Sequence, residues 1–474
     1  MTPFIGRQLE LKLLSETYES SPSSCLFVIK GRRRIGKSRL VREFAKDKEF
    51  LEFSGLAPTE GITDQDQRQV FASQLHSQLG GALQVFDDWT TAFNSLVKKI
   101  QNKKYVVLFD EISWLAHKDK TFTAKLKNFW DLGILKKNKI CLILSGSVST
   151  WIEKNIINST ALFGRINLSI NLEELSLPDS TKFLKKIGFK GSIYEQLLIL
   201  SLTGGVPWYI EQVNKNQSAQ ANIQRLFFSK DALLLGEFNK IFNDLFDKRS
   251  GIYQQIVKYL ADHGAQNISS LRTALKYPTG GVLSEYLNNL CLSGFMKKHY
   301  NWDFKSRKLT KQTMFRLSDC YLKFYLKYID SIKEKISNNS FQFEISRWQS
   351  QIGLQFENLL HNNEQLIINN LGISPLEIVN RGYYFQKPTS SNAGCQIDLL
   401  IQTSTRNLYI CEFKFRNRMI GSEVIEELEQ KIKALKVPKG FATVPVLVTN
   451  ADVSDSIIRA DYFHRIINVE DWVK

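Results

Sequence analysis

Gly31-Arg32-Arg33-Arg34-Ile35-Gly36-Lys37-Ser38 decides the reading of the first third of this 474-residue chain. It is a G-x-x-x-x-G-K-S pattern, preceded by the apolar run Cys25-Leu26-Phe27-Val28-Ile29 and followed by the helical stretch Arg39 to Lys46. Strand, loop and helix in that order suit phosphate binding. Gly31 and Gly36 let the backbone curl so that its N–H groups face phosphate oxygens. The helix beginning near Lys37 adds its positive end. Lys37 can reach the β- and γ-phosphates, and the Ser38 hydroxyl can ligate Mg²⁺. Residues Gly31, Arg32, Arg33, Arg34, Ile35, Gly36, Lys37, Ser38 and Arg39 therefore form the candidate ATP cradle.

A second element supports the first. Tyr105-Val106-Val107-Leu108-Phe109-Asp110-Glu111 is an apolar strand ending in two carboxylates. Asp110 is placed to hold Mg²⁺ directly or through water, and Glu111 to polarise the attacking water. A third strand, Ile140 to Leu144, ends in Ser145-Gly146-Ser147, which is either a γ-phosphate sensor or an ordinary strand-end turn. Strands alternating with helices predict a parallel α/β sheet in three layers, its ligand at the carboxyl ends of the strands.

With these residues in place the chain resembles the archaeal-type ATPases, P-loop proteins of the AAA+ and STAND-like group. Further matching stretches are Phe4-Ile5-Gly6-Arg7 with Glu10 and Leu11, Leu162-Phe163-Gly164-Arg165, and Thr203-Gly204-Gly205-Val206-Pro207. The likeness covers about the first 235 residues. It implies that Phe4 to Arg7 sit beside adenine and that Gly204 to Pro207 begin a helical lid. It also implies that Arg165 contacts phosphate in its own chain or in a neighbour's, the latter requiring a homo-oligomer. An ordinary surface salt bridge for Arg165 stays open.

Residues 251–318 change character. Ile252, Ile256, Val257 and Leu260 form one helical stripe, Leu271 to Leu275 suggest a second helix, and Leu283, Tyr286, Leu287 and Leu290 a third. Gly294 to Lys298 and Met314 to Leu317 then read as the strands of a wing, giving a winged helix-turn-helix. From Lys297 to Lys335 eleven Lys and Arg oppose four acids, a local +7, with Tyr300 and Trp302 among them. Rings and cations together suit nucleic acid, DNA before RNA. A solvated basic spacer, or a winged helix that binds protein, satisfies the same residues.

In the last third, Gln396 to Ile401 and Leu408 to Lys414 read as strands around a turn at Thr403 to Asn407. Glu412 and Lys414, two apart, project from one face. With the turn centred near Thr405, Asp398 faces Glu412 across the hairpin. This resembles the PD-(D/E)xK, restriction-endonuclease-like fold, although Ile397 stands where that pattern has proline. The resemblance implies that Asp398 and Glu412 bind Mg²⁺, that Lys414 orients water, that Glu357 supports the site from a preceding helix, and that Gln430 is an accessory group. Two hard carboxylates suit Mg²⁺. E-x-K also arises on solvated strands by chance, which leaves a non-cleaving domain open.

The expected architecture is an α/β protein: a P-loop core over 1–175, a helical lid over 176–248, a winged helix over 249–320 and a nuclease-like domain over 340–474. The expected function is ATP hydrolysis controlling a nucleic-acid-binding, nuclease-type module. The alternative is a STAND-like signalling or scaffold ATPase whose last domain does not cut. A P-loop kinase lacks a visible acceptor site. The net charge of +16 fits a polyanionic partner. No apolar run approaches the ~18 residues of a membrane span, and no secretory segment opens the chain. The six cysteines are scattered without a C-x-x-C pair, which fits a reducing cytoplasm. The histidines at 76, 117, 263, 299, 361 and 464 show no metal-ligand spacing and read as structural or surface residues.

Overall fold

The computed structural model describes residues 3–100, 104–134, 139–147, 150–246, 250–338, 340–386, 388 and 393–473. The expected boundary at 248/249 lies outside the described residues. The chain divides into two compact units, one of Phe4–Glu174 and one built from Leu175 onward.

The first unit is organised by a five-stranded sheet. Its strands are β1 (Cys25–Gly31), β2 (Glu49–Ser54), β3 (Tyr105–Asp110), β4 (Cys141–Ser147) and β5 (Ile166–Asn171), in the order β2-β3-β4-β1-β5. Every pairing is parallel. The three central strands read as unbroken apolar runs because both faces are covered. Leu26, Val28, Val107, Phe109, Leu142 and Leu144 enter one core, rich in mutually packed aromatics such as Phe71, Trp89 and Phe93. Cys25, Phe27, Ile29, Val106, Leu108 and Ile143 enter the other, with Leu14, Leu40 and Val41 from the flanking helices. Strands β2 and β5 escaped the sequence reading. Their burial is broken by polar positions, as edge strands allow.

The second unit begins with helices Leu177–Lys186, Ile193–Thr203, Pro207–Glu211, Ala219–Phe227 and Glu237–Phe246. Helix Ile193–Thr203 is buried on every side from Gln196 to Thr203 and packs against helix Gln349–Asn362. It is therefore a core helix of this unit and not an amphipathic surface one. Next come helices Ser250–His263, Ile268–Ala274 and Val282–Leu292 with a small antiparallel sheet. That sheet has the order β6-β8-β7, with β6 (Gln266–Asn267), β7 (Met296–Trp302) and β8 (Leu309–Leu317).

The C-terminal part carries a mixed sheet in the order β13-β12-β11-β10-β9. Its strands are β9 (Ile378–Gln386), β10 (Cys395–Thr403), β11 (Asn407–Lys414), β12 (Ala442–Thr449) and β13 (Arg465–Asn468). The β9-β10-β11 part is antiparallel, and β12 and β13 continue parallel to β11. Helix Gln349–Asn362 covers one face of this sheet and helix Glu423–Ala434 packs on β10.

Candidate functional site

The phosphate loop sits between β1 and helix Lys37–Phe44, at the carboxyl end of the central strand. Gly36 has φ +93°, a left-handed conformation that L side chains avoid. Gly31 is needed for a different reason: a Cβ there would lie 2.5 Å from the carbonyl oxygen of Leu172. Arg34 also stands in the left-handed region, at φ 69°.

Lys37 is buried and its Nζ donates to the carbonyls of Gly31 (3.1 Å) and Arg32 (3.2 Å), with Glu111 at 3.7 Å. The ammonium thus lies along the loop it would serve. The Ser38 hydroxyl donates to Asp110 Oδ2 at 2.6 Å, and Ser145 to Asp110 Oδ1 at 2.6 Å. A hydroxyl and a carboxylate in contact beside the loop are the hard oxygens that Mg²⁺ prefers, so these residues fit the ion. Glu111 is held at φ 48°, and Ser147 donates to it through its N–H (3.1 Å) and hydroxyl (3.4 Å). A non-glycine residue kept in that conformation between loop lysine and neighbouring strand is backbone strain located at chemistry. The tip of β4 is tied through Ser145 to Asp110 at the end of β3 and through Ser147 to Glu111 just after it.

Arg7 and Arg32 make contacts that the sequence did not indicate. Arg7 donates to the carbonyls of Glu173 (2.5 Å) and Ile35 (3.4 Å) and pairs with Glu10 at 3.2 Å, which ties the chain start to the loop. Arg32 pairs with Glu174 at 2.9 Å. The Ile35 side chain lies in the sheet core, so only its backbone is available to phosphate. Arg165 makes a two-pronged pair with Asp131, at 2.8 and 2.9 Å, and that guanidinium holds the Asp131 carboxyl below its usual range. Of the two readings of Arg165, the structure displays the salt bridge.

The second candidate site lies on the mixed sheet. The register pairs Leu399 with Cys411 and Leu400 with Ile410, so Asp398 and Glu412 come next and face each other. Asp398 Oδ2 accepts the N–H of Phe413 at 2.9 Å. Both carboxylates are buried, Asp398 to 5% exposure and Glu412 to 3%. Burial, then the charges of Glu412 and Glu357, push the Asp398 carboxyl well above its ordinary range. Burial also raises Glu357, which opposes the pull of Lys323 and is reinforced by Glu412. These shifts bring Glu357, on helix Gln349–Asn362, into one electrostatic cluster with the two strand acids.

Lys414 Nζ pairs with Glu412 Oε1 at 3.0 Å and Glu427 Oε2 at 2.6 Å. Burial opposes its charge, but those two carboxylates outweigh it and raise its pKa. Lys431 Nζ pairs with Glu412 Oε2 at 2.5 Å. The sequence pointed to the neighbouring Gln430, which is exposed, and missed Lys431; one position along a helix turns a side chain by about 100°. The apolar stripe Val424 and Leu428, with Lys431 next in its i+3 row, was the available signal. Trp302, read as a ring for nucleic acid, is instead buried with Phe304 and Tyr384; Tyr300 is the exposed one.

Two carboxylates here could offer oxygens to a divalent ion, but both Glu412 oxygens are already engaged by ammonium groups. Among the described residues no group of three His, Cys, Asp or Glu is gathered as a metal site. The fit to Mg²⁺ is thus good at Ser38 and Asp110 and incomplete at Asp398 and Glu412. Among the described residues no helix is long and apolar enough to cross a membrane.

Residues 4–213 match the family model described as an ATPase domain predominantly from Archaea. This stretch is similar to that ATPase domain, and the chain is an ATP-hydrolysing enzyme. An uncharacterized protein of Methanocaldococcus jannaschii is 23% identical over 421 residues, 87% of this chain and 88% of that one. Among solved structures, the Walker-type ATPase of Pyrococcus abyssi matches with a TM-score of 0.50 and 19% identity, over 68% of this chain and 96% of that one. The ORC2 protein of Aeropyrum pernix matches with a TM-score of 0.40 and 15% identity, over 70% of this chain and 94% of that one.

Proposed function

We propose that ATP turnover in the N-terminal domain controls a nucleic-acid-acting module formed by the rest of the chain, with DNA as its substrate class. In the ATPase domain the backbone of Gly31 to Arg39 cradles the phosphates, Lys37 neutralises the terminal ones, and Ser38 with Asp110 holds Mg²⁺. Mg²⁺ held there would supply offsetting positive charge to the phosphates. Glu111, poised 3.7 Å from Lys37, accepts the proton of the attacking water.

Residues 250–317, three helices and a three-stranded sheet, are read as a winged helix. Residues 340–474 are read as a PD-(D/E)xK-type domain, with Asp398 and Glu412 as metal ligands and Lys414 as the charge beside the water. The observation that carries this reading is the buried pair itself. Carboxylates left on strands with apolar neighbours cost free energy unless a cation or a partner repays it. Cys25, Cys141, Cys291, Cys395 and Cys411 carry free thiols, which suits a reducing compartment such as the cytoplasm.

One observation favours a second reading. Lys414 and Lys431 already neutralise Glu412, which is how an ion-pair core in a non-cutting signalling or scaffold protein would be built. The purified chain with ATP, Mg²⁺ or Mn²⁺, and DNA and RNA substrates separates the two. Lys37→Ala should abolish ATP turnover while leaving the fold. If cleavage occurs it should vanish in Glu412→Ala; cleavage that survives that change refutes the nuclease assignment. Absence of cleavage with nucleotide-dependent DNA association selects the second reading.

A further inference from the structure

A cavity of about 170 Å³ opens between β7, β9 and the C-terminal end of helix Gln349–Asn362. It is lined by Lys297, Lys298, His299, His361, Arg381 and Tyr383, and its one acid, Glu364, lies 3.5 Å from Arg381. Directly behind His299 lies Arg316. Its Nε donates to His299 Nε2 at 3.2 Å and its Nη1 donates to Asn358 Oδ1. Arg316 is 93% buried, its Nη2 has no hydrogen-bond partner, and no described carboxylate pairs with it.

A guanidinium in that position is costly. A buried charge ordinarily brings its counter-charge with it, and removing one partner of such a pair costs several kcal/mol. Here no described carboxylate is in contact with the guanidinium: Glu364 and Glu357 act on it only through space, and Lys297 stands on the same side as His299. Burial, with Arg316 and Lys297 adding to it, pushes His299 down to about 3, and burial drives His361 well below its usual value with Arg316 as the next cause. Both rings are neutral and add no compensation.

The tautomer of His299 follows from the same contact. Arginine has no acceptor, so His299 Nε2 must accept and the proton must sit on Nδ1. Nδ1 lies toward Gly382, whose Cβ position is 3.8 Å away, and Gly382 lines the cavity. The cavity therefore meets an N–H donor at His299, cations at Lys297, Lys298 and Arg381, and an unsatisfied guanidinium behind its wall. Its volume is below the roughly 300 Å³ of pockets that enclose drug-sized ligands. It suits a group of a few heavy atoms.

We propose that this cavity is an oxyanion site that takes a phosphate group, with His299 and Lys297 as its principal binding residues and Arg316 as the positioning residue that fixes the His299 ring and its tautomer from behind. The phosphate can belong to a free small molecule or to the terminus of a nucleic-acid strand; the donors read only the oxyanion. The inference stands on this cavity and does not depend on cleavage at Asp398 and Glu412.

The test uses the full chain saturated with MgADP, so that the phosphate loop is filled. Calorimetric titration with inorganic phosphate should show binding that weakens at least tenfold in Arg316→Gln and in His299→Phe. Because Arg316 is buried, Lys297→Ala at the exposed rim provides a variant whose fold is not at stake, and it should weaken binding several-fold. No phosphate binding by the native chain, or equal binding by all four proteins, overturns the proposal. A parallel titration compares a 5′-phosphorylated oligonucleotide with its 5′-hydroxyl form. A tenfold preference for the phosphorylated strand, lost in the variants, assigns the source as a strand end. Equal binding of the two strands, with inorganic phosphate still bound, assigns it as a free phosphate.

Discussion

Replacing Lys431 by alanine asks what Glu412 is for. The Lys431 ammonium lies 2.5 Å from Glu412 Oε2, and the carboxylate is only 3% exposed. At an effective dielectric of 20, two unit charges at that distance attract by about 7 kcal/mol. Desolvating both ions consumes most of that, and hydrogen bonds to charged groups leave a net contribution of about 1.5–3 kcal/mol. Lys431 keeps 28% of its side-chain surface in water, which favours the lower part of that range, about 2 kcal/mol. Lys414 stays bound to the other oxygen and limits the damage. For a unit of this size 1 kcal/mol corresponds to roughly 2–4 °C, so Lys431→Ala should lower the melting temperature of the metal-free protein by about 4–8 °C. The informative step is then to add Mn²⁺. If Asp398 and Glu412 are metal ligands, removal of the competing ammonium frees an oxygen and the variant should bind the ion more tightly than the native chain. At a hundredfold excess over its dissociation constant the ion stabilises by about 2.7 kcal/mol, enough to recover the loss. The assay is thermal unfolding by circular dichroism with and without Mn²⁺, with Glu412→Gln as the control that should not respond. A variant as stable as the native chain would refute the ion-pair energetics. An equal Mn²⁺ response in all three proteins would refute the metal site.

Two further predictions follow from backbone and burial. Gly36→Ala should cost about 1–2 kcal/mol by conformation alone, since nothing lies within 4 Å of the added methyl. Gly31→Ala should cost more because its methyl meets a backbone carbonyl at 2.5 Å; equal melting temperatures for the two variants would contradict this. Asp398→Asn should be more stable than the native chain at pH 8, because the amide oxygen still accepts from Phe413 N–H and the buried charge is gone. The sign for the native chain follows from its raised carboxyl: the folded state binds the extra proton, so its stability rises as pH falls from the folded pKa toward that of a free carboxylate. The gap between the two proteins, measured by denaturant unfolding, should therefore close on acidification, and a gap independent of pH would contradict the burial argument.

The sequence showed the phosphate loop so well because several constraints act on neighbouring residues. The left-handed turn at Gly36, the close approach at Gly31 and the hydroxyl–carboxylate contact of Ser38 with Asp110 each admit few residue types. The hairpin register was also legible: a short polar turn centred on Thr405 sets Asp398 opposite Glu412, and the observed pairing has that register. Contacts that join distant segments were not. Lys431 reaches Glu412 only because a helix lies across the sheet, and the i+3 spacing from Leu428 marks the face without naming the partner. Arg316 and His299 belong to adjacent strands of one hairpin, but the cavity beside them is completed by β9, more than sixty residues further on. Charge counting even misread this region. The positive excess between Lys297 and Lys335 suggested a solvated basic face, yet one of its members, Arg316, is buried with no described carboxylate in contact.

The two acid clusters solve one physical problem in opposite ways, and under the proposed roles that difference separates a site that would accept a metal as it stands from one that would have to open first. At the phosphate loop, Asp110 is bound by two neutral hydroxyls, Ser38 and Ser145. A hydroxyl can turn its proton away and offer a lone pair, so an arriving cation gains a ligand and displaces no charge. At the mixed sheet, Glu412 is bound by two ammonium groups, which have no lone pair to offer. An arriving cation there must first expel a like charge. Binding at the first site would need no rearrangement of charge. Occupancy at the second requires Lys431 to move, and helix Glu423–Ala434, which carries both Lys431 and the Glu427 that holds Lys414, is the element through which such a change would pass. A cation response that depends on Lys431 in the C-terminal part, and none such in the ATPase domain, is the consequence of that contrast.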